Sequence, residues 1–364
     1  MSIGQVFPAL YETQLTEKAE RLTQLLQLDD TAPLQLFRSA ASHFRQRAEF
    51  RIWHNGDDIY HAMFDPETRQ PVRIDYFPVA CTLIANFMPV LLKQIQFNHE
   101  LRYKLYQADY LATSTGELLV SLIYKRKLDE TWQLAAEQLV ASLSTDYKIK
   151  VIGRSRKQKV VLSEDYVTET FNVDQQPLHY QQVEGSFTQP NAGVNQQMLQ
   201  WAASVAAELN GDLLELYCGN GNFSLALARH FNQVVATELA RSSIKSAEFN
   251  IALNKIDNLQ VLQMSAEDVA AALAEGTTLK QLDLKNLALN TVLVDPPRAG
   301  LDPATLALVS RFDDILYISC NPETLADNLA FLQKTHQLQK VAMFDQFPYT
   351  HHIETGVWLK RLPR

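Results

Sequence analysis

The sequence predicts an α/β protein: a mostly parallel sheet flanked by helices and closed by an antiparallel hairpin, preceded by an α+β unit built on antiparallel strands. Three observations predict it. From His43 the apolar residues follow a period of two; after about Gln182 strand-like and helix-like segments alternate; and the last two strand-like segments have no helix between them.

The first element is a helix over about Tyr11–Leu26, where Leu15, Ala19, Leu22 and Leu26 recur at helical spacing. Next, Phe44, Ala48, Phe50 and Ile52 alternate with His43, Arg45, Arg47, Glu49, Arg51 and Trp53, which is strand spacing with one apolar face. Asn55-Gly56-Asp57 reads as the turn into a return strand, Ile59 to Phe64. More strands are expected near 105–111, 118–124, 148–152 and 159–162, and helices near 81–96 and 130–143. Beyond Gln182 the expected strands are 212–217, 233–237, 259–264, 291–295 and 314–319, each followed by a helix, then 339–347 and 356–362. The crossovers should be right-handed. The change of pattern divides the chain into residues 1–182 and residues 183–364. A sheet of seven strands with a closing antiparallel hairpin is the Rossmann-like methyltransferase pattern rather than that of a dinucleotide dehydrogenase.

Bulk properties narrow the class. A chain of 364 residues exceeds one ordinary domain, and 46% hydrophobic with 20% charged residues describes a globular protein with ample core material. Lys and Arg number 33 against 41 Asp and Glu, a formal net charge of −8. That balance counts against a large non-specific nucleic-acid surface and leaves room for a local basic patch. Cys81, Cys218 and Cys320 are far apart and form no C-x-x-C, so neither a metal site nor an iron–sulfur cluster is expected. Met1 to Phe7 lacks the pattern of a signal peptide, no apolar run suffices to cross a bilayer, and a cytoplasmic location is expected.

Glu215-Leu216-Tyr217-Cys218-Gly219-Asn220-Gly221-Asn222-Phe223-Ser224 follows an apolar strand and opens a helix. The glycines allow a tight turn and close approach to a ligand, so Gly219 is a candidate cofactor contact. A dinucleotide fingerprint would have a third glycine where Ser224 stands. Glu238, at the end of the next strand, suits a ribose diol, which nicotinamide and S-adenosylmethionine cofactors share. Cys218 reads as a small buried residue.

Val292-Leu293-Val294-Asp295-Pro296-Pro297-Arg298 ends another strand, and the proline pair forces an extended exit where Asp295 can hydrogen-bond cofactor or target base. Enzymes that methylate amino groups tend to carry an aromatic where Arg298 stands, which argues for a different acceptor. In Ser319-Cys320-Asn321-Pro322-Glu323-Thr324, Cys320 closes a strand and Pro322 opens a helix. The helix amino terminus is expected to favour a thiolate, lowering an ordinary pKa of ~8.5 by about one unit. A buried structural cysteine is the alternative.

A nucleophilic thiol in such a place suits uracil C5, which is too weakly nucleophilic to take a methyl group unaided. Thiolate addition to C6 enriches C5, and a base must then remove the C5 proton so that the thiolate can leave. Glu354, expected in the turn between the last two strands, is the candidate base. His351 and His352 beside it are given no catalytic role.

On these residues the chain resembles the tRNA (uracil-5-)-methyltransferases that make ribothymidine in the T-loop. The resemblance spans essentially the whole chain and includes Phe44 to His54, Ser186 to Asn191, the Leu216-to-Phe223 loop, Asp295 to Arg298, Ser319 to Thr324 and Thr350 to Glu354. It implies a Rossmann-like S-adenosylmethionine-dependent methyltransferase domain after an α+β RNA-binding domain, with Cys320 as nucleophile and Glu354 as proton-abstracting base. It also implies Gln189, Tyr217, Asn222, Glu238 and Asp295 as S-adenosylmethionine contacts. The implied partner is the tRNA T-arm, with other RNAs that carry a T-loop-like hairpin; no protein partner is expected. Three scattered cysteines cannot supply the four-cysteine iron–sulfur motif of ribosomal-RNA relatives, and the small β-barrel RNA module with which several of those relatives begin is not seen in this sequence.

For the RNA, Arg47 and Arg51 on the polar side of the His43–Trp53 stretch, together with Tyr106, combine phosphate-binding cations with a stacking ring. A solvated outer face with an Arg–Glu49 pair is the structural alternative. Lys104 and the run Arg154, Arg156, Lys157 and Lys159 repeat the pattern. A T-loop uridine is stacked in folded tRNA and must be flipped out to reach Cys320. Three other functions stay open at this point: a ribosomal-RNA uracil-C5 methyltransferase, an RNA-binding or RNA-folding protein whose methyl transfer is secondary, and a nicotinamide oxidoreductase.

Overall fold

The computed structural model describes residues 4–275, 278–279, 282–283 and 287–363. Residues 1–3 of the amino-terminal segment read above lie outside the described residues. The chain forms two compact units. The division is not a single cut at 182/183. Ala40–Thr170 and Gln181–Ala192, with the start of the chain to Pro8, make the first; Ala9–Ser39, Phe171–Tyr180 and Gly193–Arg364 make the second.

The first unit holds a seven-stranded sheet in the spatial order Pro71–Arg73, Asp58–Phe64, Arg47–Asn55, Leu105–Ala112, Glu117–Tyr124, Lys148–Ser155, Gln158–Val161. All neighbours are antiparallel except Glu117–Tyr124 with Lys148–Ser155, which pair parallel. That pair corrects the expectation of antiparallel strands throughout. A parallel return needs a long crossover, and the helix Glu130–Leu143 supplies it, capped by the Asp129 carboxylate. The helix presses close to the sheet because Gly153 has no side chain: a Cβ there would meet the Trp132 ring at 2.2 Å. Ala48, Phe50 and Ile52 are buried as their spacing predicts, in a core shared with Phe87, Met88 and Leu91 of the helix Thr82–Ile95.

The second unit holds an eight-stranded sheet in the order Leu34–Phe37, His336–Phe344, Glu354–Arg361, Asp314–Ser319, Leu289–Val294, Asp212–Leu216, Val234–Glu238, Leu259–Gln263. The seven predicted strands are present and an eighth is added. Leu34–Phe37 lies parallel to His336–Phe344 at the edge, from a segment more than a hundred residues away from the rest of the sheet in sequence. Only Glu354–Arg361 runs antiparallel to its neighbours. The central strands are nearly all apolar and buried (Leu213, Leu214, Leu216; Val234, Val235, Ala236; Val292, Leu293, Val294; Ile315 to Ile318), as a sheet covered on both faces requires. Helix Ala192–Ala206 lies close to the closing hairpin, since a Cβ on Gly356 would stand 2.8 Å from the Trp201 ring. A further two-stranded sheet, Tyr166–Val173 with Gln176–Val183, was not expected from the sequence.

Among the described residues no helix is long and apolar enough to cross a membrane.

Candidate active site

In the second unit the strand order reverses between Asp212–Leu216 and Leu289–Val294. Successive strands run outward from Asp212–Leu216 on one side and from Leu289–Val294 on the other. Such a switch point opens a crevice at the carboxyl ends of the strands. The register sets four predicted residues along that edge. Leu216 pairs with Thr237 on one side and Val294 on the other, so Tyr217, Glu238 and Asp295 follow at neighbouring strand ends. Cys320 continues the next strand, Asp314–Ser319.

The loop after Asp212–Leu216 is shaped by three residues at positive φ: Tyr217 (64°), Gly219 (57°) and Gly221 (83°). At Gly221 a Cβ would stand 2.3 Å from Leu225 Cδ1, whereas at Gly219 nothing lies within 4 Å. The loop therefore folds tightly at Gly221 and leaves open space at Gly219. Glu238 braces it: Oε2 accepts from Gly219 N (3.0 Å), and Oε1 accepts from Leu239 N and Ala240 N (2.8 Å each). Leu239 beside it is 61% exposed. Asn222 is differently employed. Its amide exchanges two hydrogen bonds with Asn195 (2.9 and 3.0 Å), and its carbonyl accepts from Tyr180 Oη (3.1 Å). Gln189 belongs to the first unit.

Glu215 is wholly buried and accepts from Ser224 Oγ, while its Oε1 has no hydrogen-bond partner among the described residues. Burial, with Asp295 and Glu238 adding, raises its carboxyl to about 8 despite the Ser224 bond. Neither Glu215 nor Ser224 was singled out as a ligand from the sequence, yet a buried acid with an idle oxygen under a glycine loop fits a cationic ligand group. These donors and acceptors, the space at Gly219 and the exposed Leu239 fit a nucleoside carrying a polar, charged tail.

Cys320 and Glu354 are brought together by strand pairing. Asp314–Ser319 and Glu354–Arg361 pair antiparallel through Ser319 opposite Thr355, so one step further the same register sets Cys320 opposite Glu354. Glu354 is not in a solvated turn, as the sequence suggested; it is the first residue of its strand, pairs with Phe344 on the other side and is 3% exposed. Burial raises its carboxyl well above the ordinary value, Asp295 raises it further, and Arg298 opposes both. Asp295 is raised to about 7 by burial.

The thiol runs against expectation. Asn321 caps the helix Pro322–Leu332, accepting from Glu323 N at 3.2 Å, and Pro322 is its first residue, so the helix start is where the sequence placed it. Yet the Cys320 thiol is pushed up to about 11, by burial first and then by the negative charges of Glu354 and Asp295, with Arg298 opposing. Desolvation and two carboxylates outweigh a helix end contributing ~1 kcal/mol. Arg298, exposed and 3.5 Å from His352 Nε2, is a cation that acts on both Cys320 and Glu354. Its carbonyl accepts from Asn321 Nδ2 (2.9 Å), tying the Pro-Pro segment to the cysteine loop. A charge directly after the proline pair was the available signal for this residue.

The approach to Glu354 is held by the amino-terminal helix Tyr11–Leu26, which the sequence reading assigned elsewhere. Lys18 Nζ donates to Asp345 Oδ1 (2.7 Å) and to the Phe347 carbonyl (2.9 Å); Gln14 Nε2 donates to Asp345 Oδ2 (3.0 Å). Arg21 pairs with Glu323 and donates to the His351 carbonyl (3.1 Å).

In the first unit, Arg51 and Tyr106 do meet. The Arg51 guanidinium lies 3.5 Å and the Lys125 ammonium 3.8 Å from the Tyr106 ring centroid. Arg51 Nη1 is buried with no hydrogen-bond partner among the described residues. Arg47 differs. It donates to the Ser186 carbonyl (3.1 Å) and lines a small cleft with Glu49, Asp109 and Glu184. Burial raises Asp109 there to about 6, with Glu49 and Glu184 adding. No ion pair of Glu49 is found among the described residues; Arg154 and Lys159 instead pair with Glu184.

The model of the tRNA (uracil-5-)-methyltransferase family matches residues 10–362. A tRNA/tmRNA (uracil-C(5))-methyltransferase of Aeromonas salmonicida (strain A449) is 54% identical over 358 residues, covering 97% of this chain and 95% of its own length. One from Shewanella sp. (strain MR-4) is 50% identical over 364 residues, covering 99% and 100%. Among solved structures, the tRNA (uracil-54, C5)-methyltransferase of Pyrococcus abyssi in complex with S-adenosyl-L-homocysteine superposes with a TM-score of 0.71 at 22% identity, over 96% of this chain and 83% of that one, a likeness of fold. The chain belongs to the tRNA (uracil-5-)-methyltransferase family.

Proposed function

We propose that this protein methylates C5 of a uridine in the T-loop of tRNA, with S-adenosylmethionine as donor, Cys320 as covalent nucleophile and Glu354 as the base that removes the C5 proton. The observation that carries the reading is the pairing register, whose last pair, Ser319 with Thr355, is followed by Cys320 on one strand and preceded by the buried Glu354 on the other.

Gly219, Glu238, Tyr217 and Asp295 are the residues of the second unit that would hold the donor; Gln189 and Asn222 are carried by the family resemblance. Bound there, S-adenosylmethionine supplies an electrophilic methyl group and a positive charge that favours the ionised forms of the surrounding acids. Cys320, ionised, adds to uracil C6, and the charge displaced onto C5 and O4 makes C5 able to form its bond to methyl carbon. Glu354 then takes the C5 proton, the C5–C6 double bond re-forms and the Cys320 sulfur leaves. A carboxylate whose pKa is raised by burial is a stronger base than an exposed one, which suits this step. Arg298 offsets negative charge around both groups. Arg51 is proposed to hold the RNA by phosphate contact, with Tyr106 aligning the Arg51 and Lys125 cations on its ring and Arg47 contributing from the edge of its cleft.

The relatives' names support tRNA, and tmRNA with it, over ribosomal RNA. A cytoplasmic location follows from such a substrate. Incubation with labelled S-adenosylmethionine and unmodified tRNA, followed by nucleoside analysis, tests the reading. Label in 5-methyluridine is expected; label on a ring nitrogen or an exocyclic amine overturns it.

A further inference from the structure

The first unit has a second basic and aromatic surface that the reading above does not use. It begins at the end of the short helix His99–Arg102, where Tyr103 leaves helical geometry (φ −61°, ψ 117°) and Lys104 takes a left-handed conformation at φ 56°. A lysine at positive φ is costly, and such strain concentrates where side chains must be aimed. The turn presents rings outward: Phe97 is 85% exposed, and Tyr103, 47% exposed, stacks on His99 with ring centroids 5.2 Å apart and planes 13° from parallel. Phe97, His99, Tyr103 and Lys104 line an open pocket of about 350 Å³.

The charges are placed for an anion. Lys104 Nζ lies 5.3 Å from the Tyr103 ring centroid, as Lys125 Nζ lies 3.8 Å from that of Tyr106. Neither lysine has an acidic partner among the described residues. Each of these lysines is set against an aromatic ring, in a chain of net charge −8. Alternating cations and exposed rings are how proteins bind unpaired nucleotides, phosphate to cation and base to ring face.

We propose that the Phe97–Tyr103 pocket stacks an unpaired nucleobase of the tRNA other than the reacting uridine. The proposal rests on the tRNA reading above and adds a place where affinity is gained away from the reacting uridine.

Phe97→Ala, Tyr103→Ala and Phe97→Trp should be compared with wild type for equilibrium binding of an unmodified tRNA transcript at fixed salt, and for kcat and KM of methyl transfer. Leu134→Ala, at a residue 59% exposed on the helix Glu130–Leu143, is the control for loss of any exposed apolar side chain. Each alanine variant should weaken tRNA binding about fivefold or more, the usual scale for one base–ring stack, and raise KM with kcat little changed. Phe97→Trp should bind like wild type, and Leu134→Ala should be silent. If both alanine variants bind tRNA as tightly as wild type, the inference is overturned, and a protein ligand at this surface would produce that result. Wild type that binds tRNA but makes no 5-methyluridine would instead sink the proposed function and leave the binding comparison standing.

Discussion

Ser319 and Thr355 form the last pair between the antiparallel strands Asp314–Ser319 and Glu354–Arg361, and Cys320 and Glu354 are the next residues at that end, near enough that Glu354 raises the Cys320 thiol. Opposed residues in such a ladder have Cβ atoms about 5 Å apart. A pyrimidine ring presented at that edge can meet sulfur at one carbon and carboxylate at the next.

Removing the sulfur should separate binding from catalysis. Cys320→Ala is expected to lower methyl transfer to tRNA roughly 10⁴-fold or more, the scale for loss of a nucleophile, with tRNA affinity retained. Filter binding beside a labelled-methyl assay measures both, and appreciable turnover by this variant would exclude the covalent route.

Removing the base should trap the product. In Glu354→Gln the C5 proton stays in place after methyl transfer, so the sulfur cannot leave. A protein–RNA adduct that survives denaturation is expected, visible as a shifted band or added mass. Normal release of methylated tRNA by this variant would show that another group is the base.

The resting thiol should be unreactive, and its neighbours should set how unreactive. With the Cys320 thiol raised to about 11, alkylation by iodoacetamide without cofactor should be slow near pH 7 and accelerate up to about pH 11. Glu354→Gln or Asp295→Asn removes a negative charge that disfavours thiolate, so the pKa falls and alkylation at neutral pH quickens. Arg298→Ala does the reverse. Cys81 and Cys218 are buried, so mass spectrometry can follow Cys320 alone; the opposite ordering of these variants would contradict the electrostatic account.

The amino-terminal helix should matter for stability through one ion pair. Lys18 and Asp345 are both buried, with side-chain exposures of 7% and 0%. Lys18→Ala leaves Asp345 buried and without its cation, which costs about 3 kcal/mol. Burial lowers the Lys18 pKa although Asp345 opposes the shift. Replacing both partners with apolar residues, Lys18→Met with Asp345→Leu, should restore much of the loss. Thermal and denaturant unfolding of the three variants decides, and equal instability of single and double variants would count against the ion pair as the cause.

The two glycines of the loop should respond differently to the same change. Gly221→Ala meets Leu225 at 2.3 Å as well as an unfavourable φ of 83°, and should destabilise the protein and weaken cofactor binding together. Gly219→Ala, with open space around it, should cost only about 1 kcal/mol from its φ of 57°. Unfolding midpoints and calorimetric titration with S-adenosylhomocysteine compare them; equal effects would mean that the crowding at Leu225 is relieved by local movement.

Much of this was legible in one dimension. The alternation of Ala48, Phe50 and Ile52, the apolar runs ending at Leu216, Val294 and Ser319, and the helix starts at Asn222 and Pro322 are local patterns, and side-chain periodicity reports them directly. The edge strand Leu34–Phe37 was not, because four residues carry too little periodicity and its partner Val341 to Phe344 lies some three hundred residues on. The parallel pairing of Glu117–Tyr124 with Lys148–Ser155 was hidden for a similar reason, since alternation says nothing about the direction of the neighbour.

At the site, residue types and order were readable from the sequence: a cysteine and an acid at strand ends, glycines in a loop, an acid on the next strand. Tertiary structure decided what state they are in. Burial and the meeting of Cys320 with Glu354 and Asp295 turned an expected fall in thiol pKa into a rise, and Asn195, distant in sequence, engages the Asn222 amide. The physical reason is the same in each case. Periodicity and turn chemistry are properties of neighbours along the chain, whereas desolvation and Coulomb interactions depend on whatever the fold brings within a few ångströms.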